Sequence, residues 1–197
     1  MQSTRLEKQI NFIREIDHLK NIIRQSYLIS AQRKENSAEH SWHLAMAALL
    51  LSEYSDEGVD LLQVLKMVLI HDIVEIDAGD TYCYDNVHAL DKSERERKAA
   101  KRIFEMLPQE QAKELRKLWD EFETGVTAES KFARCLDRLL PFLHNYYTEG
   151  RSWKEHGIKR DQVIDHTLKI QDSSATLWEF VHSTIEDAVA KGYLSKQ

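Results

Sequence analysis

The sequence predicts an all-α fold in one domain, and three observations carry that expectation. Only two prolines and six glycines interrupt its 197 residues. Apolar side chains recur at intervals of three and four along most of the chain, whereas period-two alternation is hard to find. The apolar residues are spread evenly, and a chain of this length buries one substantial core more readily than two small ones.

The first helix is expected from Thr4 to Arg24, with Leu6, Ile10, Ile13, Ile16 and Ile23 on or near one face, ending by Gln25-Ser26-Tyr27. A connection from Ser30 to Asn36 leads to Ser37, whose hydroxyl suits the cap of a helix running from Ala38 to about Tyr54. Along it His40, Leu44, Ala47, Ala48 and Leu51 share a stripe. Asp60 caps the next helix, which carries the run from Val68 to Asp80, and Gly79 breaks it. Asp80 to Asn86 reads as an ordered polar loop, the kind of segment that lines sites.

Ser93 opens a further helix, with Ala99, Ala100, Ile103, Phe104 and Leu107 inward and its charge run solvated. Pro108 suits the first turn of the next, where Ala112, Leu115, Leu118, Trp119 and Phe122 form the buried stripe and Gly125 the stop. Thr127 caps a helix that buries Ala133, Leu136, Leu140 and Leu143 and bends at Pro141. After a connection from Gly150 to Gly157, two helices are expected at about Asp161 to Gln171 and Ser174 to Lys191.

With 33 acidic and 27 basic side chains the net charge is −6, and no basic stripe interleaved with aromatics appears. A dedicated nucleic-acid surface is therefore excluded, while a small anionic substrate can still be held locally. Cys83 and Cys135 are too few for a disulfide framework and lack any Cys-x-x-Cys spacing, which suits core thiols in a reducing compartment. The N-terminal residues have no apolar signal core and no stretch approaches 18 uncharged apolar residues, so a soluble, cytoplasmic protein is expected. Trp153 and Trp178, near the C-terminal helices, suit a symmetric homodimer interface as readily as the domain's own core.

Within the apolar run Val68 to Asp80 the polar groups stand out. Leu61, Leu65, Val68 and Asp72 fall on one helical stripe, and Val64, Val68, His71 and Glu75 on its neighbour, so the polar trio points inward. Buried charged groups need partners or a metal. Asp137, four after Ala133 and three before Leu140, is a further inward acid, and His40 an inward imidazole. Taken singly, His40 reads as a satisfied core histidine and Asp137 as a buried salt-bridge partner. Two imidazoles and two carboxylates converging from three helices read instead as ligands for a divalent ion such as Mn, Co, Fe, Ni or Zn.

The order His40, His71-Asp72, Asp137, with separations of 31 and 65 residues, resembles the H…HD…D signature of the HD-domain metal-dependent phosphohydrolases. The fragments Arg33-x-Glu35-Asn36-x-x-Glu39-His40-Ser41 and His71-Asp72-x-x-Glu75-x-x-x-Gly79-Asp80 resemble more narrowly the 5′-deoxynucleotidase group, with likeness from about Arg24 to Asp137. The resemblance implies a helical domain with a metal-site core over about 24–145 and C-terminal helices over 158–192 packed on it. It implies metal ligation by His40, His71, Asp72 and Asp137 (Mg joining the ions above) and active-site roles for Glu75 and Asp80. Members of that group contact the nucleotide through an arginine followed by tryptophan. This chain has Arg24-Gln25-Ser26-Tyr27 there, without the tryptophan and with the arginine offset by one.

The function expected is release of phosphate from a nucleotide, a 5′-(deoxy)nucleoside monophosphate first, by a metal-bound water. Glu75 would orient or deprotonate that water. Asp80 would protonate the leaving alkoxide or hold the water. Arg24 and Arg33 are the phosphate-binding candidates, each with a surface arginine as its plain alternative. Trp42 and Tyr82 are candidates for stacking on a base, with plain aromatic packing as the default for both, and His43 is core or a support for His40. Three other readings compete: an HD hydrolase for a cyclic nucleotide, nucleoside triphosphate or alarmone; a non-catalytic interaction module with a structural metal; and a di-iron oxygenase, for which His88 is the only extra histidine between His71 and Asp137.

Overall fold

In a computed structural model, which describes residues 4–85, 88 and 90–196, the chain is a helical domain with one small antiparallel ribbon. Helix α1 (Arg5–Ile16) is followed by a 3₁₀ segment (Asp17–Asn21), strands β1 (Ile23–Tyr27) and β2 (Lys34–Asn36), and helices α2 (Ser37–Leu51) and α3 (Leu61–Ile70). A 3₁₀ turn (His71–Val74) leads into the short α4 (Glu75–Ala78). Then come α5 (Lys92–Phe104), α6 (Gln109–Thr124), α7 (Ala128–Tyr147), α8 (Arg151–His156), α9 (Arg160–Thr167), a 3₁₀ segment (Leu168–Asp172) and α10 (Ala175–Ala190).

Helices α2, α3 and α7 pack on one another, while α9, the 3₁₀ segment after it and α10 lie against α7. Leu44 on α2, Val64, Met67 and Val68 on α3, and Leu136 and Leu140 on α7 are buried together. The inward polar groups are thereby gathered at the meeting of three apolar helix faces, where charge is costly without a partner.

The first helix is shorter than expected. It stops at Ile16, and Leu6, Ile10 and Ile13 are exposed while Phe12 is its buried residue. The apolar period is real but has little to pack against. The segment 23–36, expected as helix end and connection, is instead the β1–β2 ribbon. Its register pairs Ile23 with Asn36 and Tyr27 with Lys34, so β1 carries extra residues between the paired positions. Such a bulge destroys strict alternation, which is why period two was not legible there, and it re-aims the side chains it contains. Those are Arg24, Gln25 and Ser26, and all three turn to the wall of a cavity.

Other local signals fall close to their expected places. Asp60 caps α3 by accepting from the Leu62 amide at 2.9 Å, Thr127 caps α7 by accepting from Ser130 at 3.2 Å, and Gly125 ends α6 in the left-handed region at φ 62°. Ser37 is not the cap of α2. That role falls to Asn36, which accepts from the Glu39 amide at 2.9 Å while Glu39 returns the bond at 3.1 Å. The connection 150–157 contains α8, and Trp153 is buried against Phe142 in the domain's own core rather than offered to a second copy. Gly150, at φ 71°, has no room for a side chain, because a Cβ there would meet the Tyr193 carbonyl oxygen at 1.8 Å. No described helix is long and apolar enough to cross a membrane.

Candidate metal centre and its cavity

Each polar group of the centre is delivered by a different piece of local structure. His40 lies in the first turns of α2 and is fully buried. His71 and Asp72 open the 3₁₀ turn after α3, and the run from His71 to Glu75 is buried without interruption. No single α-helical stripe buries five neighbours in a row, so the tighter turn and enclosure on several sides replace the continuous helix that periodicity suggested. Asp137 projects from the middle of α7, four residues before Pro141. Proline lacks the amide that would otherwise bond the Asp137 carbonyl, and the helix carries on through it to Tyr147.

His40 Nε2 lies 3.0 Å from Asp137 Oδ1, and His71 Nε2 lies 3.0 Å from Asp72 Oδ1 and 3.6 Å from Asp137 Oδ1. Ligand atoms of His40, His71 and Asp72 all fall within 4.8 Å of one another. His71 Nδ1 donates to the Val68 carbonyl at 2.9 Å. A carbonyl only accepts, so the ring proton is on Nδ1 and Nε2 faces the carboxylates, buried and with no hydrogen-bond partner among the described residues. That orphaned nitrogen between two carboxylate oxygens is what a divalent ion would complete. Burial by itself would lower the His71 pKa, yet the Asp72 and Asp137 carboxylates hold it well above the ordinary value, so this spot calls for positive charge. Burial would raise Asp137, but His40 and His71 outweigh it and keep its carboxyl well below the usual range. His40, His71, Asp72 and Asp137 thus fit a nitrogen and oxygen site for a divalent ion.

Arg24 is the cation of the cluster. Its Nη1 donates to Asp72 Oδ2 at 2.6 Å and lies 3.9 Å from Glu75 Oε1 and 3.8 Å from Asp80 Oδ1. Burial opposes its charge, but the carboxylates of Asp72, Glu75, Asp80 and Asp137 outweigh that and raise its pKa. Glu75 is buried and accepts from the Ser37 hydroxyl at 2.7 Å. Burial, and next the Asp72 charge, push the Glu75 carboxyl well above its usual value. Burial also raises Asp80, against the pull of Arg24. Gly79, at φ 76° after α4, turns the chain so that Asp80 faces this group.

Asp72, Glu75, Asp80, Asp137 and Arg24 line a cavity of about 290 Å³, together with Lys92, Arg138, Tyr82, Tyr84, Phe142 and His166. Arg33, expected beside Arg24, is elsewhere: it is exposed, its Nη1 donates to Glu39 at 2.8 Å in a two-pronged pair, and it does not line the cavity. The Asn36–Glu39 cap holds that glutamate where the guanidinium finds it. Trp42 is 65% exposed and away from the cavity, whereas Tyr82 lines it. Cys135 is buried as expected, but Cys83 is exposed on the cavity wall.

Several cavity and support residues carried no legible role in the sequence. Lys92 at the start of α5 and Arg138 on α7 line the cavity, a placement that only the packing of distant elements produces. Glu35 carried a faint signal, being part of the fragment that holds His40. It is 1% exposed, with Oε2 3.4 Å from His40 Nδ1 and 3.9 Å from Arg24 Nε.

Known proteins resemble this chain in sequence and in fold. The HD domain family model matches residues 16–178. The 5′-deoxynucleotidase HDDC2 of Homo sapiens is 32% identical over 130 residues, covering 66% of this chain and 62% of that protein's own length. That of Xenopus laevis is 27% identical over 186 residues, covering 93% of this chain and 85% of its own. A crystal structure of a predicted metal-dependent phosphohydrolase from Magnetospirillum magnetotacticum MS-1 superposes with a TM-score of 0.93 at 50% identity, covering 97% of this chain and 96% of that one. The chain therefore belongs to the HD domain family.

Proposed function

We propose that the protein is a divalent-metal-dependent phosphohydrolase acting on a 5′-(deoxy)nucleoside monophosphate. The observation that carries this reading is the orphaned His71 Nε2, set among carboxylates at the edge of a cavity that Arg24, Lys92 and Arg138 also line. The 5′-deoxynucleotidase relatives support the substrate class. His40, His71, Asp72 and Asp137 would hold the ion. A bound divalent ion supplies Lewis acidity, lowering the pKa of a water and polarising a phosphoryl oxygen.

The protein's own groups do the rest. Arg24, already drawn in by carboxylates, turns a donor toward the phosphate, and Lys92 and Arg138 add positive charge along the same cavity. Glu75, anchored by the Ser37 hydroxyl, orients the attacking water and takes its proton. Asp80 either gives a proton to the leaving 5′ oxygen or steadies the water. Tyr82, Tyr84, Phe142 and His166 offer aromatic surface to the nucleoside. Arg33, paired with Glu39, has no part in this reading.

Phosphate release from a panel of nucleotides, with a panel of divalent ions, tests it. Release from 5′-monophosphates that depends on added ion is expected. Absence of release from every monophosphate would remove the nucleotidase reading, and preference for a cyclic nucleotide, a triphosphate or an alarmone would move it to another phosphoester. The reading includes a cytoplasmic setting, which the free thiols Cys83 and Cys135 suit, and a homodimer. For the latter the exposed apolar stripe Trp42, Met46, Leu49 and Leu50 on α2 is better support than the buried Trp153. A monomer by sedimentation at micromolar concentration would dismiss the dimer.

A further inference from the structure

On the far side of His40 from Asp137 lies a second group of ligand-type side chains. Glu35 on β2, His43 on α2 and His144 on α7 each offer an atom within 4.8 Å of the others'. Glu35 and His144 are 1% and 2% exposed, and His43 is half-buried. Glu35 Oε2 and His144 Nδ1 stand 3.7 Å apart, and the His43 and His144 rings lie with centroids 5.4 Å apart. Two donors each about 2.0 to 2.2 Å from one ion come to roughly 3 to 4 Å from each other, so the Glu35–His144 spacing is that of neighbouring ligands.

Two of these atoms are also unexplained as they stand. Glu35 Oε2 and His144 Nδ1 are buried and without a hydrogen-bond partner among the described residues. A buried carboxylate oxygen left in that state is costly, as is a buried ring nitrogen. The His40 Nδ1 atom, 3.4 Å from the same carboxylate oxygen, occupies one side of it, and a carboxylate oxygen has further lone-pair directions to give. Arg24 Nε, at 3.9 Å, is the nearby guanidinium, and its other end is committed to Asp72.

We propose that Glu35, His43 and His144 form a second metal site, separate from the centre at His71 and Asp72. Two imidazoles and one carboxylate select a borderline ion of the Fe, Co, Ni or Zn type over Mg or Ca. The half-buried His43 gives the ion its entry and leaves a remaining position to water. Such an ion ties the β1–β2 ribbon to α2 and α7, and through Glu35 it stands directly behind His40. The inference does not depend on the nucleotidase reading, since it concerns ion binding alone.

Metal-stripped full-length protein is loaded with Zn²⁺, and separately with Co²⁺, freed of excess ion, and assayed for metal per chain by elemental analysis. The expected result is two ions per chain in the unaltered protein, falling to one in His43→Ala and to one in His144→Gln. Asp72→Ala, which strikes the other centre, also retains one. The Co²⁺ absorption bands of His43→Ala and Asp72→Ala should add up to those of the unaltered protein. Circular dichroism of the stripped forms checks folding, and the half-buried His43 keeps the test open if His144→Gln does not fold. A single bound ion that His43→Ala leaves in place overturns the proposal, as does a second ion that survives both histidine substitutions, whereas a single ion that His43→Ala removes and Asp72→Ala keeps supports it.

Discussion

Arg24 on β1 and Arg33 in the connection just before β2 lie nine positions apart in the sequence and end in opposite circumstances. Arg24 is enclosed, with Asp72 at 2.6 Å and Glu75 and Asp80 within 3.9 Å. Arg33 is exposed and paired with Glu39 near the start of α2. The difference comes from the bulge in β1, which aims Arg24 into the cavity, and from the surroundings each guanidinium meets. A charge among several carboxylates with little water is strongly held and chemically usable, whereas a pair at the surface is weakened by solvent and salt. Membership in a motif fragment does not by itself place an arginine at a site.

That contrast can be broken or sharpened by substitution. The largest effect is expected for Asp72→Ala, which removes both a proposed ligand and the direct partner of Arg24. Metal-dependent phosphate release should fall by on the order of a thousandfold or more, the scale of several kcal/mol of lost charge stabilisation. Full metal occupancy together with near-normal turnover would separate Arg24 from the metal centre altogether.

Next comes Arg24→Ala. In ion-free protein it leaves buried carboxylates without their cation, a situation that costs about 3 to 5 kcal/mol. Denaturant unfolding should therefore show a large loss in the stripped protein and a smaller one once a divalent ion is bound, because the ion supplies positive charge to the same carboxylates. Equal losses with and without ion would mean that Arg24 and the ion do not share partners.

Ser37→Ala is a gentler probe of the same cluster. It removes the hydroxyl that Glu75 accepts from, a bond to a charged group worth about 1.5 kcal/mol, or roughly tenfold in turnover. The fall should lie in kcal/mol of activation rather than in substrate affinity, so kcat is the quantity to watch and KM should stay. Smallest of all is Arg33→Ala, for which turnover and metal content should change by no more than about twofold, as for exposed ion pairs generally. A tenfold loss there would return Arg33 to the site and erase the contrast with Arg24.

Much of the fold was legible because it rests on local rules. Three-and-four periodicity located α2, α3, α5, α6 and α7, and Asp60, Thr127 and Gly125 marked helix ends through bonds made within a few residues. The inward direction of His40, Asp72 and Asp137 followed from the apolar residues that share their faces. The β1–β2 ribbon was not legible, since a bulged pair of short strands has no clean period. Ser37 suits a cap by residue type, but Asn36 with Glu39 makes the capping box and frees Ser37 to reach Glu75.

By itself the sequence determined which chemistry-bearing residues are present, that they interrupt apolar helix faces, and that the chain folds as an α-helical domain. Those properties depend on neighbours within one or two turns. Only the tertiary structure decided that Arg24 rather than Arg33 meets the carboxylates, that Lys92 and Arg138 line the cavity, and that Glu35 joins His40 to His43 and His144. Each of those outcomes is a meeting of elements far apart in the chain, set by the packing of α2, α3 and α7 and by one bulge. A periodic pattern tells which way a side chain faces, but what it finds there is settled by the packing.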